Sequence, residues 1–304
     1  MTDTNISAKQ RWLGIGTLVA CATLWSLNGP LIKLLGQVEV PGVTIACYRS
    51  LLGGLVFLPF AVRRLGSLRH VHPAWPVAGV VTFTTMTAAF VIATTKTAAA
   101  SVIILQYTSP IWVFLLAPLL LSERPSRREG LVLLVAMAGV GVIFFGGEGA
   151  DWRWLVLALV SGLGYGSLTV VLRAMRQVNP GVVAALNALG SGLILVVPVA
   201  IWGVFTLTTR QWGLMFLLAL VQFTLPYLMF SWALRYVEAH QAALILLLET
   251  ILNPICTFLA VGEIPPLATL LGGPLILAGV VGWLLLTWRG GGAGRVPPPG
   301  PATT

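Results

Sequence analysis

Residues 181–202 read GVVAALNALGSGLILVVPVAIW, twenty-two positions without one ionisable side chain. A helix that crosses the hydrocarbon of a bilayer needs about 20 mostly apolar residues. A surface helix of that length in a soluble protein keeps a charged face, and this stretch has none. Nine comparable runs surround it, near 12–33, 41–61, 75–95, 97–121, 130–146, 152–172, 211–231, 239–260 and 267–288. The expected fold is therefore an all-α membrane protein of ten transmembrane helices.

Composition agrees. Hydrophobic residues make up 57% of the 304 and charged residues 9%, where a soluble domain carries about 25% charged. Mean hydropathy is +0.93. The net charge of +9 does not read as a nucleic-acid surface, because Lys and Arg sit in short gaps between apolar runs and not on one exposed face. Cys21, Cys47 and Cys256 all fall inside apolar runs, so they read as small buried hydrophobes with no disulfide framework. Lys9 and Arg11 precede an apolar stretch, and Leu18-Val19-Ala20-Cys21 resembles a lipoprotein cleavage box. The apolar run continues past Cys21, however, and reads as the first span.

The basic residues orient the chain. With the N-terminus in the cytoplasm, thirteen lie inside: Lys9, Arg11, Arg63, Arg64, Arg69, Arg124, Arg127, Arg128, Arg173, Arg176, Arg235, Arg289 and Arg295. Four lie outside, Lys33, Lys96, Arg153 and Arg210, and Arg49 lies within a span. That bias predicts a multi-pass protein of the inner (plasma) membrane with both termini cytoplasmic. Residues 1–11 are then a cytoplasmic N-terminus, and the Gly/Pro-rich stretch 289–304 a disordered cytoplasmic tail.

The chain also repeats. At an offset of 140, Trp12 falls on Trp152, Lys33 on Arg173, Glu123 on Glu263, Pro125 on Pro265, and Ala138-Gly139-Val140 on Ala278-Gly279-Val280. The repeats are 12–146 and 152–288, each with five helices. An odd count forces the second copy into the membrane upside down, which predicts two inverted five-helix repeats around a central cavity.

Several motifs then resemble a known family. Leu24-Trp25-Ser26-Leu27-Asn28-Gly29-Pro30, Tyr48-Arg49-Ser50-Leu51-Leu52, Tyr107-Thr108-Ser109-Pro110 with Leu121-Ser122-Glu123-Arg124, and Leu248-Glu249 through Gly262-Glu263 resemble the drug/metabolite transporter superfamily in its ten-helix EamA-type branch. The resemblance covers roughly residues 10–288. The second copy has Glu249-Thr250 where the family often has Glu-Pro, with a proline later at Pro254. The resemblance implies a basket of ten helices and movement of small metabolites, such as amino acids or their derivatives.

An ionisable side chain inside the bilayer is costly, roughly 2.5–3.5 kcal/mol on insertion scales, and is a functional candidate for that reason. Glu249 lies near the middle of the ninth span and Arg49 in the outer part of the second. Glu249 reads as a site for a proton or a cationic group, and Arg49 as a clamp for a carboxylate. The alternative is a structural pair or contact with cavity water. Asn28, Gln106, Tyr107, Asn187, Gln222 and Tyr227 are uncharged polar residues within spans. Such groups line a cavity or bond between helices. Trp25 and Trp112 offer aromatic walls. The substrate or coupling set is Glu249, Arg49, Asn28, Trp25, Gln106, Tyr107, Gln222 and Tyr227. Glu123 and Glu263 read as caps of the next helix or partners of a nearby Arg. Gly162 and Gly166 read as a close-packing face.

What is missing narrows the field. There is no Gly-rich phosphate loop with a following Lys-Ser/Thr. Asp occurs only at Asp3 and Asp151, and His70, His72 and His240 are scattered. No cofactor, metal site or catalytic cluster is expected. The reading is a secondary transporter of small polar metabolites in a lipid bilayer, driven by protons or a substrate gradient. A channel or facilitator is the first alternative and a membrane enzyme the second.

Overall fold

The computed structural model describes residues 8–121, 127–146, 151–237 and 239–289. Eight of its helices are long and apolar enough to cross a membrane, and two shorter apolar helices, Leu133–Phe145 and Leu248–Val261, complete the ten. The expectations for Glu123, Arg124 and Pro125, for residues 1–7 and for the tail from Gly290 fall outside the described residues.

In chain order the first span is α1 (Ala8–Ser26) and α2 (Asn28–Gln37), interrupted at Leu27. The second and third are α3 (Gly42–Val62) and α4 (Ala74–Lys96), joined through a short 3-10 turn at Leu65–His70. The fourth breaks into α5 (Ala99–Gln106) and α6 (Ser109–Leu121), and the fifth is α7 (Arg127–Phe145). The second half repeats the scheme with α8 (Trp152–Ala174) and α9 (Pro180–Trp202). Its next span is α10 (Thr209–Phe216), a π-helical segment (Leu217–Thr224) and α11 (Leu225–Ala233). The ninth span is α12 (Ala239–Leu246) and α13 (Leu248–Val261), and the tenth is α14 (Leu267–Arg289).

Helix pairing obeys a two-fold exchange of each span with the one five places on. The heaviest packing joins equivalents, α3 with α9 and α7 with α14. The contact of α4 with α8 has its counterpart in α1 with α11, and that of α4 with α9 in α3 with the π segment. Equivalent helices also run antiparallel. A Cβ on Gly139 would lie 2.8 Å from Ile276 Cγ1, and one on Gly279 would lie 2.7 Å from the Ala136 nitrogen. Rising numbers on α7 thus meet falling numbers on α14, as an inverted repeat requires. Here Ala136 and Gly139 stand 140 before Ile276 and Gly279, the offset read from the sequence. The second spans keep a different register. Gly54 packs on Leu189 and Gly192 on Leu51 through the same leucine atoms, a spacing of 138 that also separates the helix starts Gly42 and Pro180. One offset therefore does not hold throughout the repeat: it is 138 at the second span and 140 at the fifth.

Three spans break near their middles, and each break has a local cause. Pro30 has no N–H for the Ser26 carbonyl, and Pro110 has none for Gln106. At the first break the Ser26 oxygen instead accepts from Asn253 Nδ2 at 3.2 Å, and the Trp25 oxygen from Gln222 Nε2 at 3.3 Å. At the fourth-span break Thr108 Oγ1 donates to the Leu105 oxygen at 2.7 Å. The ninth span breaks at the equivalent place although Thr250 stands where the family often has proline. There Thr250 Oγ1 donates to the Leu247 oxygen at 2.6 Å, a hydroxyl competing with the helix ladder. Gly162 of α8 lets this region pack: a Cβ there would stand 2.6 Å from Thr108 Oγ1 and 2.8 Å from the Leu105 oxygen.

Candidate functional site

The three breaks and the π segment converge on one cavity of about 340 Å³ between the two halves. All eight residues singled out from the sequence line it: Trp25 and Asn28 at the first break, Arg49 on α3, Gln106 and Tyr107 at the fourth-span break, Gln222 in the π segment, Tyr227 on α11 and Glu249 in the first turn of α13. Asn187 and Trp112 are not on its wall. Trp112 instead packs against Gly166, so of the two tryptophans only Trp25 faces the cavity.

Arg49 is almost fully buried, with 4% of its surface exposed. Nη1 donates to Asn28 Oδ1 at 2.9 Å and Nη2 to Thr87 Oγ1 at 2.5 Å. The guanidinium carbon stands 5.1 Å from the centre of the Phe223 ring, within cation–π range. Each of these partners is uncharged. Glu249, half-buried, accepts at Oε2 from the Tyr107 hydroxyl at 3.1 Å. The same hydroxyl lies 3.3 Å from the Leu246 oxygen, so one proton serves two acceptors. Among the described residues the ion pair within 4 Å is Lys33 with Glu263. Arg49 and Glu249 therefore share a cavity without a direct contact, and the side chains that hydrogen-bond to them among the described residues, Asn28, Thr87 and Tyr107, are uncharged.

Aromatic rings form the rest of the wall. Tyr227 stands 5.4 Å from Trp25 and 5.3 Å from Phe223, edge to face in both cases, and Trp25 lies 5.8 Å from Phe230. The site thus holds a guanidinium and a carboxyl group on one wall with these rings. Sequence reasoning missed Thr87, Phe223 and Tyr165, all on the cavity, and Asn253, fully buried beside it. A threonine or phenylalanine in an apolar span carries no signal of its own. Asn253 did, as an amide deep in an apolar run one turn after Glu249.

Glu263 also differs from expectation. Its Oε1 accepts from the Ala99 nitrogen at 2.7 Å, and its Oε2 meets Lys33 Nζ at 2.5 Å. It caps α5, not the helix that follows it, and its partner is a lysine.

Two segments of the chain, residues 12–145 and 152–285, each match the model of the EamA-like transporter family. The chain belongs to the EamA-like transporter family. Two matches in tandem account for the two inverted halves. This transporter is also 26% identical over 266 residues, 86% of its own chain and 93% of the relative, to an uncharacterized transporter of Archaeoglobus fulgidus. A solved crystal structure superposes with a TM-score of 0.61 at 18% identity, over 93% of the transporter and 99% of that chain. At that identity the likeness speaks for the fold.

Proposed function

We propose that this membrane transporter is a secondary active transporter of small polar metabolites, amino acids or related compounds, which it exports across the cytoplasmic membrane by alternating access. The observation that carries this reading is that Arg49 and Glu249 line one aromatic cavity between inverted halves without touching each other. A zwitterion matches such a site: its carboxylate goes to the guanidinium and its ammonium to Glu249, with an apolar side chain against Trp25, Tyr227 and Phe230. An empty site leaves Glu249 free to carry a proton instead, which couples the cycle to protons.

The cavity wall runs from Asn28, Arg49 and Thr87 down to Thr169, Phe230 and Leu284. That is the end of the bundle carrying Arg63, Arg64 and Arg173, and the basic bias assigns it to the cytoplasm. Toward Lys33 the space is filled by Leu31, Ile32, Leu35, Val91, Val102 and Ile103, none more than 5% exposed. A cavity loaded from the cytoplasm and shut on the outside fits an exporter at the start of its cycle. The test is uptake of labelled amino acids into proteoliposomes holding the purified chain, with and without an imposed proton gradient. Accumulation above the outside concentration that collapses with a protonophore is the expected result. Flux that only ever equilibrates the label overturns active transport.

A further inference from the structure

We infer that Lys33 and Glu263 are functional residues of the transport cycle, forming the latch that holds the cavity shut at its outer end. Three separate pieces of chain meet at this pair. Lys33 Nζ on α2 contacts Glu263 Oε2 at 2.5 Å and donates to the Thr97 oxygen, after α4, at 2.8 Å. Glu263, past the end of α13, accepts at its other oxygen from the Ala99 nitrogen at 2.7 Å, the first residue of α5. Lys33, Thr97 and Ala99 belong to the first repeat and Glu263 to the second. Through Glu263 the cluster therefore joins the two halves.

Both side chains are about four-fifths buried, which shields the pair from screening better than an exposed one. Inward of the pair along α2, α4 and α5 lies an apolar plug of Leu31, Ile32, Val91, Val102 and Ile103, all buried in one cluster. Opening a path from the cavity to this end must part α2 and α5 from α13. That separates Lys33 from Glu263 and pulls Glu263 off the α5 N-terminus in one step. The latch rests on the alternating-access reading for its role in transport, but its effect on the plug is measurable without any substrate.

The experiment places one cysteine at Val102, fully buried one turn inside Ala99, in a background with Cys21, Cys47 and Cys256 changed to Ala. A membrane-impermeant maleimide is applied to the Lys33 face of the reconstituted full chain. With the latch intact, labelling is slow. Glu263→Gln keeps an oxygen for the Ala99 nitrogen and removes the charge; Lys33→Gln breaks the pair without touching the cap. Each is expected to speed labelling roughly fivefold, the factor for a latch of about 1 kcal/mol. Unchanged rates in both variants overturn the latch. Faster labelling in Glu263→Gln alone also overturns it, since breaking the same ion pair from the Lys33 side would then leave the plug shut. If both variants label faster while no amino acid is transported by the parent, the latch stands and the substrate reading fails.

Discussion

Tyr107 and Glu249, 142 residues apart in the chain, meet where the Tyr107 hydroxyl donates to Glu249 Oε2. Each stands at a helix break, and the two breaks, after Gln106 and after Leu246, are equivalents 140 positions apart. The inverted repeat thus brings its own two interruptions face to face, and the second one carries the carboxylate. Glu249→Gln keeps the shape and removes the charge. The variant is expected to insert and purify as the parent does, yet lose transport or its dependence on pH. Tyr107→Phe keeps the Glu249 carboxyl group but takes away its hydrogen-bond donor, so the pH profile of transport should move while some transport survives. Normal transport with an unchanged profile in Glu249→Gln would reduce Glu249 to a passive wall residue.

Arg49 is held in a fork by Asn28 and Thr87 on two different helices. A lysine keeps the charge but cannot reach both acceptors or stack its plane on Phe223. Arg49→Lys is expected to weaken binding of a carboxylate substrate by about tenfold or more, the loss of a charge-assisted pair. The corresponding amide should bind parent and variant equally. Tryptophan fluorescence titration of the purified protein reads both, and equal carboxylate affinity would remove Arg49 as the clamp.

Much of this was legible in the residues themselves. Apolar runs gave ten spans because lipid demands long uninterrupted segments, and seven of the eight cavity residues stood out because polar groups in such runs are costly, Trp25 standing out as an aromatic wall. The breaks were half legible. Pro30 and Pro110 point to freed carbonyls at Ser26 and Gln106, but Thr250 replaces proline at the third break and acts through a side-chain bond. The π segment at Leu217–Thr224 has no composition that sets it apart from the α-helical spans. Pairings such as Lys33 with Glu263 join residues from different halves, and a repeat offset alone does not say which residues touch.

The break in the first span rests on Asn253, whose side chain satisfies the Ser26 carbonyl that Pro30 leaves without a donor. Asn253→Leu has nearly the same shape and no donor. A buried carbonyl left unsatisfied costs about 1–3 kcal/mol, so the variant should melt earlier in detergent. Pro30→Ala supplies a backbone N–H that can serve the same oxygen. In that background Asn253→Leu should cost less, and a double-mutant cycle measures the difference. Full additivity would mean that Asn253 and Pro30 act on separate features.

Topology follows from charge. Reporter fusions at Arg64 and at Glu148 should report opposite sides of the membrane, with Arg64 cytoplasmic, because thirteen of the 18 basic residues fall on one side in that orientation. The same side at both positions would mean that the number of spans between them is even.

The α7–α14 contact gives the sharpest test of packing. A Cβ on Gly139 would lie 2.5 Å from the Gly272 carbonyl oxygen and 2.9 Å from the Ile276 nitrogen. Both are backbone atoms, so no side chain can swing aside, and the helices must separate. Gly139→Ala is therefore expected to cost about 1–3 kcal/mol, the usual penalty for overpacking. Gly141, two residues on in the same helix, has nothing within 4 Å of its ideal Cβ. Gly141→Ala should be neutral, or gain up to about 1 kcal/mol from helix propensity. The two substitutions are chemically identical and differ only in which face of α7 they load. Thermal unfolding of both variants in one detergent compares them directly. If both melt alike, α7 and α14 are not in the close antiparallel contact that relates the two halves.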